Sequence, residues 1–274
     1  MRRRLSGRVA AVVSTAALAV ASGFVVTPPP AEAAATVRVL DFNFCGAICH
    51  KGVIDRPGSN NDVVEEVRNR IVAFRPHLVM LQESCHGQFE RITKLLRSSA
   101  WPMDGVFRPQ RQDGRCKGGS RGFGDAVLTA GRVGSREVLD LPDLGGENRA
   151  ILCLNTDAQG PVLACSLHLV TGKAGPGRRE HTMQLASAAR MLNRKAAGRA
   201  VIVGGDFNAT PGKMGALLGG AGRFFDIDPQ KAGTRGDKID YVLFNRSHFS
   251  GPSGGPVGSR YSDHKVLQGS ATRR

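Results

Sequence analysis

Apolar and polar residues alternate from Val37 to Phe42, and the run stops at Asn43, which is the two-residue period of a half-buried strand. The period then changes. Val63, Val67, Ile71 and Phe74 recur at helical spacing, Glu65 and Glu66 fall in the first turn where they suit the helix dipole, and Asn60, Asn61 and Asp62 offer caps before it. Pro76 ends this helix, and His77–Leu81 forms a short apolar strand closed by Gln82 and Glu83. Phe89, Ile92, Leu95 and Leu96 mark a second amphipathic helix. Strand-like runs follow near 101–107, 123–129, 132–139, 149–155 and 162–169. A third helix spans 178–197 with Leu185, Ala188 and Leu192 on its inner face. Strands near 200–204, 223–227, 239–244 and 265–269 complete the count. With no internal repeat and no second set of core positions, the pattern predicts one α/β domain with mixed, largely antiparallel sheets.

The start of the chain follows a different logic. Arg2, Arg3 and Arg4 precede an apolar run from Val9 to Val26, then three prolines and Ala31-Glu32-Ala33. Basic start, hydrophobic middle and small-residue cleavage site are the order of a secretory signal peptide. Ser14, Thr15, Ser22 and Gly23 dilute the run, which argues against a retained membrane anchor. Residues 1–33 are therefore expected to be a signal peptide and 34–274 an exported, extracellular domain. Losing four arginines and Glu32 lowers the formal net charge from +15 to +12. A chain this basic expects a polyanionic partner: nucleic acid, an anionic lipid surface or a phosphorylated polymer.

All six cysteines (45, 49, 85, 116, 153 and 165) lie in the expected mature part, and in an oxidising compartment an even count predicts three disulfides. Segments Arg149–Asn155 and Val162–Leu169 form a hairpin; folding it about Gln159 sets Cys153 opposite Cys165. The four cysteines that remain allow three pairings, of which Cys45 with Cys49 and Cys85 with Cys116 is the one expected. A zinc site is the alternative, but no CxxC pair or Cys/His cluster supports it.

Polar residues recur where strands meet solvent. Asn43, Glu83, His168 and Asp206 stand at the C-terminal ends of apolar runs, while Asp125, Asp240 and the Asp263-His264 pair stand where runs begin. In an antiparallel pair the exit of one strand and the start of its partner share an edge, so all of these residues can meet at one rim. The segment GGDFNATP (204–211) adds Asn208 on the turn that leaves a buried strand. A buried strand delivering a carboxylate and a carboxamide to its exit aims chemistry at one point.

In order, the blocks are FN (42–43), LQE (81–83), GDAVLT (124–129), SLHL (166–169), GGDFNATP (204–211), KIDYVLF (238–244) and SDHKVL (262–267). Together they resemble the endonuclease/exonuclease/phosphatase superfamily, and the chain is identified as a secreted bacterial member. The resemblance implies a four-layer α/β/β/α sandwich, two mixed and mainly antiparallel sheets flanked by helices, of the DNase I-like kind. It also implies a metal-dependent hydrolase of phosphate esters. Carried over by position, Glu83 is the main Mg²⁺ ligand, with Asp263 and Asn43 completing or orienting the site; Mn²⁺ or Ca²⁺ are the alternatives. Oxygen donors with no soft ligand suit such a hard ion. Asp240 holds His264 so that its imidazolium faces a phosphate oxygen, Asp206 orients and deprotonates the attacking water, Asn208 donates to a non-bridging oxygen, and His168 binds phosphate or serves the leaving group. Asp125 departs from the pattern, since many relatives carry Asn there; a structural role, capping a turn beside Arg121, is expected of it.

The charge distribution narrows the substrate. Arg108, Arg111, Arg115, Lys117 and Arg121 lead toward Asp125, Lys173, Arg178 and Arg179 follow His168, and Lys231, Arg235 and Lys238 precede Asp240. Positive loops around a phosphodiesterase centre suit a polymer with phosphates on both sides of the scissile bond. A secreted nuclease is the leading expectation, with nucleic acid as substrate and a monomer as the working unit. A secreted phosphomonoesterase or a lipid phosphodiesterase of sphingomyelinase or inositol-phosphate type is the alternative, and a non-catalytic binding module the third. One Trp and two Tyr supply no exposed aromatic hairpin for insertion into lipid, so no stable membrane association is expected. His50, His77, His86, His181 and His248 carry no motif and are expected at the surface or in turns. Arg179 and Gln184 are expected on a solvated helix face, and Trp101 in a core strand.

Overall fold

The computed structural model describes residues 35–46, 49, 63–111, 116, 122–145, 147–173, 175–220, 222–228 and 232–274. The expected signal peptide, the Asn60–Asp62 cap, His50, Arg115, Lys117, Arg121 and Lys231 lie outside them. Chain order is β1 (Thr36–Asn43), α1 (Val63–Phe74), β2 (Leu78–Cys85), α2 (His86–Arg97), β3 (Asp104–Arg111), β4 (Phe123–Thr129), β5 (Arg136–Asp140), β6 (Ala150–Thr156) and β7 (Val162–His168). It continues with α3 (Gly175–Lys195), β8 (Val201–Asp206), α4 (Gly215–Leu218), β9 (Phe224–Asp226), β10 (Asp240–Asn245), β11 (Phe249–Val257) and β12 (Val266–Arg273).

These strands form two six-stranded sheets, in the orders β11-β12-β1-β2-β4-β3 and β5-β6-β7-β8-β10-β9. Each sheet contains one parallel pair, β1 with β2 and β7 with β8; every other pairing is antiparallel. A parallel pair needs a crossover, and α1 and α3 supply it. Strand alternation sends one set of side chains between the sheets: Val37, Val39, Leu78, Met80, Leu154, Ala164, Ile202 and Phe244. The other set faces helices, with Leu40, Phe42, Val79 and Leu81 under α1 and α2. On the second sheet Leu163, Leu167, Val201, Val203 and Leu243 pack with Ala188 and Leu192 of α3. The result is the expected four-layer α/β/β/α sandwich.

Three disulfides link Cys45–Cys49, Cys85–Cys116 and Cys153–Cys165. The last joins directly opposed residues of β6 and β7, as the hairpin register requires.

Several local expectations are corrected. The strand expected at 101–107 begins at Asp104, so Trp101 precedes it, half-buried, with its indole nitrogen donating to the Pro76 carbonyl at 2.6 Å. The strand expected from 132 begins at Arg136. β11 was not foreseen: it carries Pro252, Pro256 and three glycines, a composition that reads as loop and that only an edge strand accommodates. His77 is buried, accepting the Arg38 amide at 2.9 Å through Nδ1. His181 is buried on α3, with Nε2 3.0 Å from the Phe207 carbonyl.

The second sheet's edge strand is anchored by charge. Glu137 of β5 accepts from Lys195 Nζ at 2.6 Å, Arg199 Nη2 at 2.9 Å and Asn155 Nδ2 at 3.1 Å. Partial burial pushes its carboxyl up, but the hydrogen bonds from Lys195, Asn155 and Arg199 prevail and hold it at about 2. Its folded value lies below the unfolded one, so its contribution is present above the ordinary carboxylate range and fades as pH falls toward 2. Glu137→Gln is expected to lower the melting temperature by about 2–4 °C at pH 7, equivalent to roughly 1 kcal/mol for a partly screened network. Thermal melts from pH 7 down to pH 2.5 should show the gap closing; a gap that stays constant would rule this contribution out.

Candidate active site

Chain direction explains why distant residues converge. β1 and β2 are parallel and exit on one edge with Asn43 and Glu83; β7 and β8 do the same with His168 and Asp206. β10 runs against β8, which sets Asp240 directly opposite Asp206. β12 runs against β1, so the turn before it lies over the end of β1: Ser262 Oγ donates to the Asn43 carbonyl at 2.7 Å and accepts the His264 amide at 3.0 Å. On the second sheet's inner face, the row Ala164, Ile202, Phe244 gives way to Ser166, Gly204, Val242 and then to His168, Asp206, Asp240. The inter-sheet space thus turns from apolar to polar toward its rim.

The double glycine of GGD follows from this close approach. A Cβ on Gly204 would lie 2.7 Å from Asp41 Oδ1, and one on Gly205 only 2.1 Å from the Leu167 carbonyl oxygen. Any larger residue would push the two sheets, or β7 and β8, apart.

Asp206 is the hub. Its Oδ1 accepts the Asn208 amide at 2.9 Å; its Oδ2 accepts Asn43 Nδ2 at 3.2 Å and lies 3.5 Å from His168 Nε2 and 3.8 Å from His264 Nε2. Burial, and then the neighbouring Asp240, push its carboxyl up to about 7. His264 turns Nδ1 to both oxygens of Asp240, at 3.0 and 3.1 Å. Burial opposes its positive form, but the hydrogen bond and charge of Asp240, with Asp206 and Asp263, raise the imidazole to about 9. The paired acid also fixes the tautomer, leaving Nε2 to point toward Asp206.

Two residues at this rim adopt left-handed backbone, Glu83 with φ 57° and Asn208 with φ 47°. Such geometry costs energy in any residue with a side chain and is kept where it aims a group. Glu83 sits in the bulge of β2 between Leu81 and Ser84. Its Oε1 accepts Asn43 Nδ2 at 3.2 Å, while its Oε2 is buried and has no hydrogen-bond partner among the described residues. Burial holds this carboxyl above its ordinary value. Asn43 cannot be turned the other way, because its Oδ1 accepts the Cys45 amide at 3.1 Å. It therefore presents N–H groups to Glu83 and Asp206 and orients the acids. Asn208 donates one amide hydrogen to the Leu169 carbonyl at 2.9 Å and retains a second. Asp263 is more exposed and ion-paired with Arg235.

The donor set fits a hard divalent ion. A buried carboxylate oxygen without a partner, in a cluster of acids and carboxamides, is what an oxygen-liganded cation requires. Asp206, Asp240 and His264 also bring ligand atoms within 4.8 Å of one another, but the Asp240–His264 hydrogen bond already accounts for most of that approach. Asp263 similarly lies within 4.8 Å of Cys45 and Cys49 sulfurs, which the disulfide consumes.

Other expected neighbours fall elsewhere. Asp125 caps no turn: it is buried inside β4, its Oδ2 accepts from Gln110, and Gln110 in turn accepts from Arg149 at 2.8 Å. Burial outweighs the nearby arginines and pushes this carboxyl up to about 7. Arg108 is buried in β3 rather than on a loop, and Lys238 is buried between Asp226 and Asp228, at 3.3 and 3.2 Å. Neither belongs to a solvated basic rim. Gln184 is not solvated; its Oε1 accepts the Val170 amide at 3.0 Å and so braces the exit of β7.

Asp41 and Ser166 escaped the sequence reading. Gln82 Nε2 donates to Asp41 Oδ1 at 2.9 Å and Ser166 Oγ at 3.1 Å, forming a polar layer between the sheets just below the rim. Burial, with Asp240 adding to it, holds the Asp41 carboxyl well above its ordinary value. The signal was there: Asp41 shares its strand face with Val37, Val39 and Asn43.

Residues 42–264 match the sequence profile of the Endonuclease/Exonuclease/phosphatase family. Solved structures of the same fold include the human nocturnin catalytic domain with bound sulfate anion, at 18% identity and a TM-score of 0.65, covering 87% of this chain and 94% of that one. TDP2 from C. elegans aligns at 15% identity and a TM-score of 0.62, covering 86% and 75%. A mannosyl-6-phosphatase from Bacteroides thetaiotaomicron aligns at 13% identity and a TM-score of 0.62, covering 86% and 99%. No curated protein sequence gives a significant match.

Proposed function

We propose, for a chain that belongs to the endonuclease/exonuclease/phosphatase family, the activity of an exported, divalent-metal-dependent phosphodiesterase that hydrolyses nucleic acid. Enzymes of this family are typically phosphoester hydrolases that use divalent metals. The observation that carries the reading is the hub at Asp206, where one buried carboxylate oxygen meets Asn43 and lies within 4 Å of both rim histidines.

In this proposal Glu83, assisted by Asp263, holds a Mg²⁺ ion, and Mn²⁺ or Ca²⁺ suits the same oxygen donors. The bound ion would neutralise charge developing on the phosphate oxygens. The chain's own groups do the rest. Asp206 takes the proton of an attacking water and aligns it in line with the departing oxygen. His264, kept positive and oriented by Asp240, donates from Nε2 to a non-bridging oxygen, and Asn208 donates its remaining amide hydrogen to another. His168 binds phosphate or serves the leaving group.

Nucleic acid is favoured because Lys173 and Arg235 border one cavity with Asn208. A phosphomonoesterase is the second reading, since one protein of this fold is a mannosyl-6-phosphatase. Export is supported by the basic-then-apolar N-terminus and by three disulfides. Among the described residues no helix is long and apolar enough to cross a membrane.

Supercoiled plasmid, RNA, sphingomyelin vesicles and mannose 6-phosphate, each with Mg²⁺ and with EDTA, separate these readings. Plasmid or RNA cleavage with Mg²⁺, loss in EDTA and recovery on adding Mg²⁺ or Mn²⁺ are expected. Phosphocholine or inorganic phosphate release without cleavage of either polymer would overturn the substrate, and full activity in EDTA would overturn the metal requirement.

A further inference from the structure

Beyond Asn208 the rim opens into a cavity of about 360 Å³ whose polar walls are Thr171, Lys173, Asn208, Thr210, Arg235 and Asp237. Cavities for drug-like ligands are lined mainly by apolar groups, and among the described residues this one offers Ile239 as its single large apolar side chain. Its two cations come from separate loops. Lys173 stands on the loop that follows His168, and Arg235 on the loop that precedes Asp240, where it also pairs with Asp263.

Both loops are braced. A Cβ on Gly172 would lie 3.1 Å from the His181 ring, so the Lys173 loop packs tightly on α3, and His181 Nε2 lies 3.0 Å from the Phe207 carbonyl. On the other side Thr234 Oγ1 accepts the amides of Ile239 at 3.2 Å and Asp240 at 3.3 Å, and the Thr234 carbonyl accepts the Lys265 amide at 2.9 Å. The two charges are therefore presented on braced backbone, so a ligand has the side chains but not the loops to organise.

We infer that this cavity is the subsite for the nucleotide next to the scissile phosphate. Its phosphate sits between Lys173 and Arg235, and its sugar or base donates hydrogen bonds to Asp237. The inference rests on the nucleic-acid reading above and deepens it. Asn208 forms the wall shared with the catalytic cluster, so a group held here is continuous with one held over Asp206. The phosphate contacts would supply affinity that falls with salt, while Asp237 would favour a group carrying hydroxyl or amine hydrogens.

Lys173→Glu is the test, with Lys94→Glu as the control, because Lys94 is exposed on α2 and makes the same change of charge. Binding of a fluorescent single-stranded oligonucleotide is measured by anisotropy in EDTA over a salt series. Cleavage of the same oligonucleotide and of bis(p-nitrophenyl) phosphate is measured with Mg²⁺. Lys173→Glu is expected to weaken oligonucleotide binding roughly 5–10-fold and to reduce the salt slope by about one. Its loss of kcat/KM should also be several-fold greater on the oligonucleotide than on the small diester, while Lys94→Glu matches the wild type. If the wild type binds and cuts the oligonucleotide and Lys173→Glu behaves as the control, the subsite is wrong and the nuclease reading stands. If the wild type hydrolyses the small diester but neither binds nor cuts the oligonucleotide, both fall.

Discussion

Asp206→Asn is expected to lower phosphodiester turnover by about 10²–10⁴-fold, the span associated with losing a general base. The fold should survive. Removing a buried carboxylate relieves desolvation, while the new Nδ2 would face that of Asn43, so the two effects oppose and the thermal midpoint should stay within about 3 °C. The new side chain keeps its oxygen for the Asn208 amide, so the GGDFN turn remains closed. Turnover of bis(p-nitrophenyl) phosphate and of plasmid, measured beside a thermal melt, separates the cases. A variant within tenfold of wild-type kcat would remove Asp206 from the chemistry. Loss of activity together with a collapsed midpoint would make it a structural residue.

Much of the fold was legible because its inner strands obey simple periods. β4, β6, β7, β8 and β10 are buried on both faces or nearly so and read as apolar runs of strand length, while β1 reads by its alternation. What the pattern missed lies at the periphery. β11 is an edge strand with half of its ladder unpaired, so prolines and glycines are tolerated and the apolar signal disappears. β3 starts three residues later than its apolar run because Trp101 packs as part of a turn rather than in the ladder. Local composition carried no information about either choice.

The candidate site was legible for a topological reason. Reading polar residues at strand ends works when parallel strands exit, and antiparallel partners begin, on one edge, and the two βαβ units here ensure it. Charge was less readable. Lys238 and Arg108 look in sequence like any loop cation, yet both are buried, the one against two aspartates that lie ten and twelve positions earlier, the other with its guanidinium on the Asn148 carbonyl at 3.1 Å. Only the fold distinguishes a buried ion pair from a solvated rim. Asp125 is the same lesson with the opposite sign, an acid that looks like a turn cap and instead lies within a strand, bonded to Gln110.

The pair Asp240 and His264 allows a sharper test than either residue alone. His264→Ala is expected to reduce kcat by about 10²–10³-fold, the loss typical of one donor to a developing phosphate charge. Asp240→Asn leaves the imidazole in place but removes the acid that holds Nδ1, and a loss of about 10–100-fold is expected, as when an orienting partner of a functional histidine is removed. If Asp240 acts only through His264, the double variant should be no slower than His264→Ala, because the second substitution has nothing left to disturb. Multiplying losses would mean that Asp240 has a function of its own. A second function open to a buried carboxylate at this rim is to ligate the cation beside Glu83, because Asp240 stands directly opposite Asp206. Cation titration of the Asp240→Asn and Glu83→Gln proteins, followed by the ion-dependent rise in melting temperature, would decide between the two, since the variant that abolishes the rise has lost the ligand.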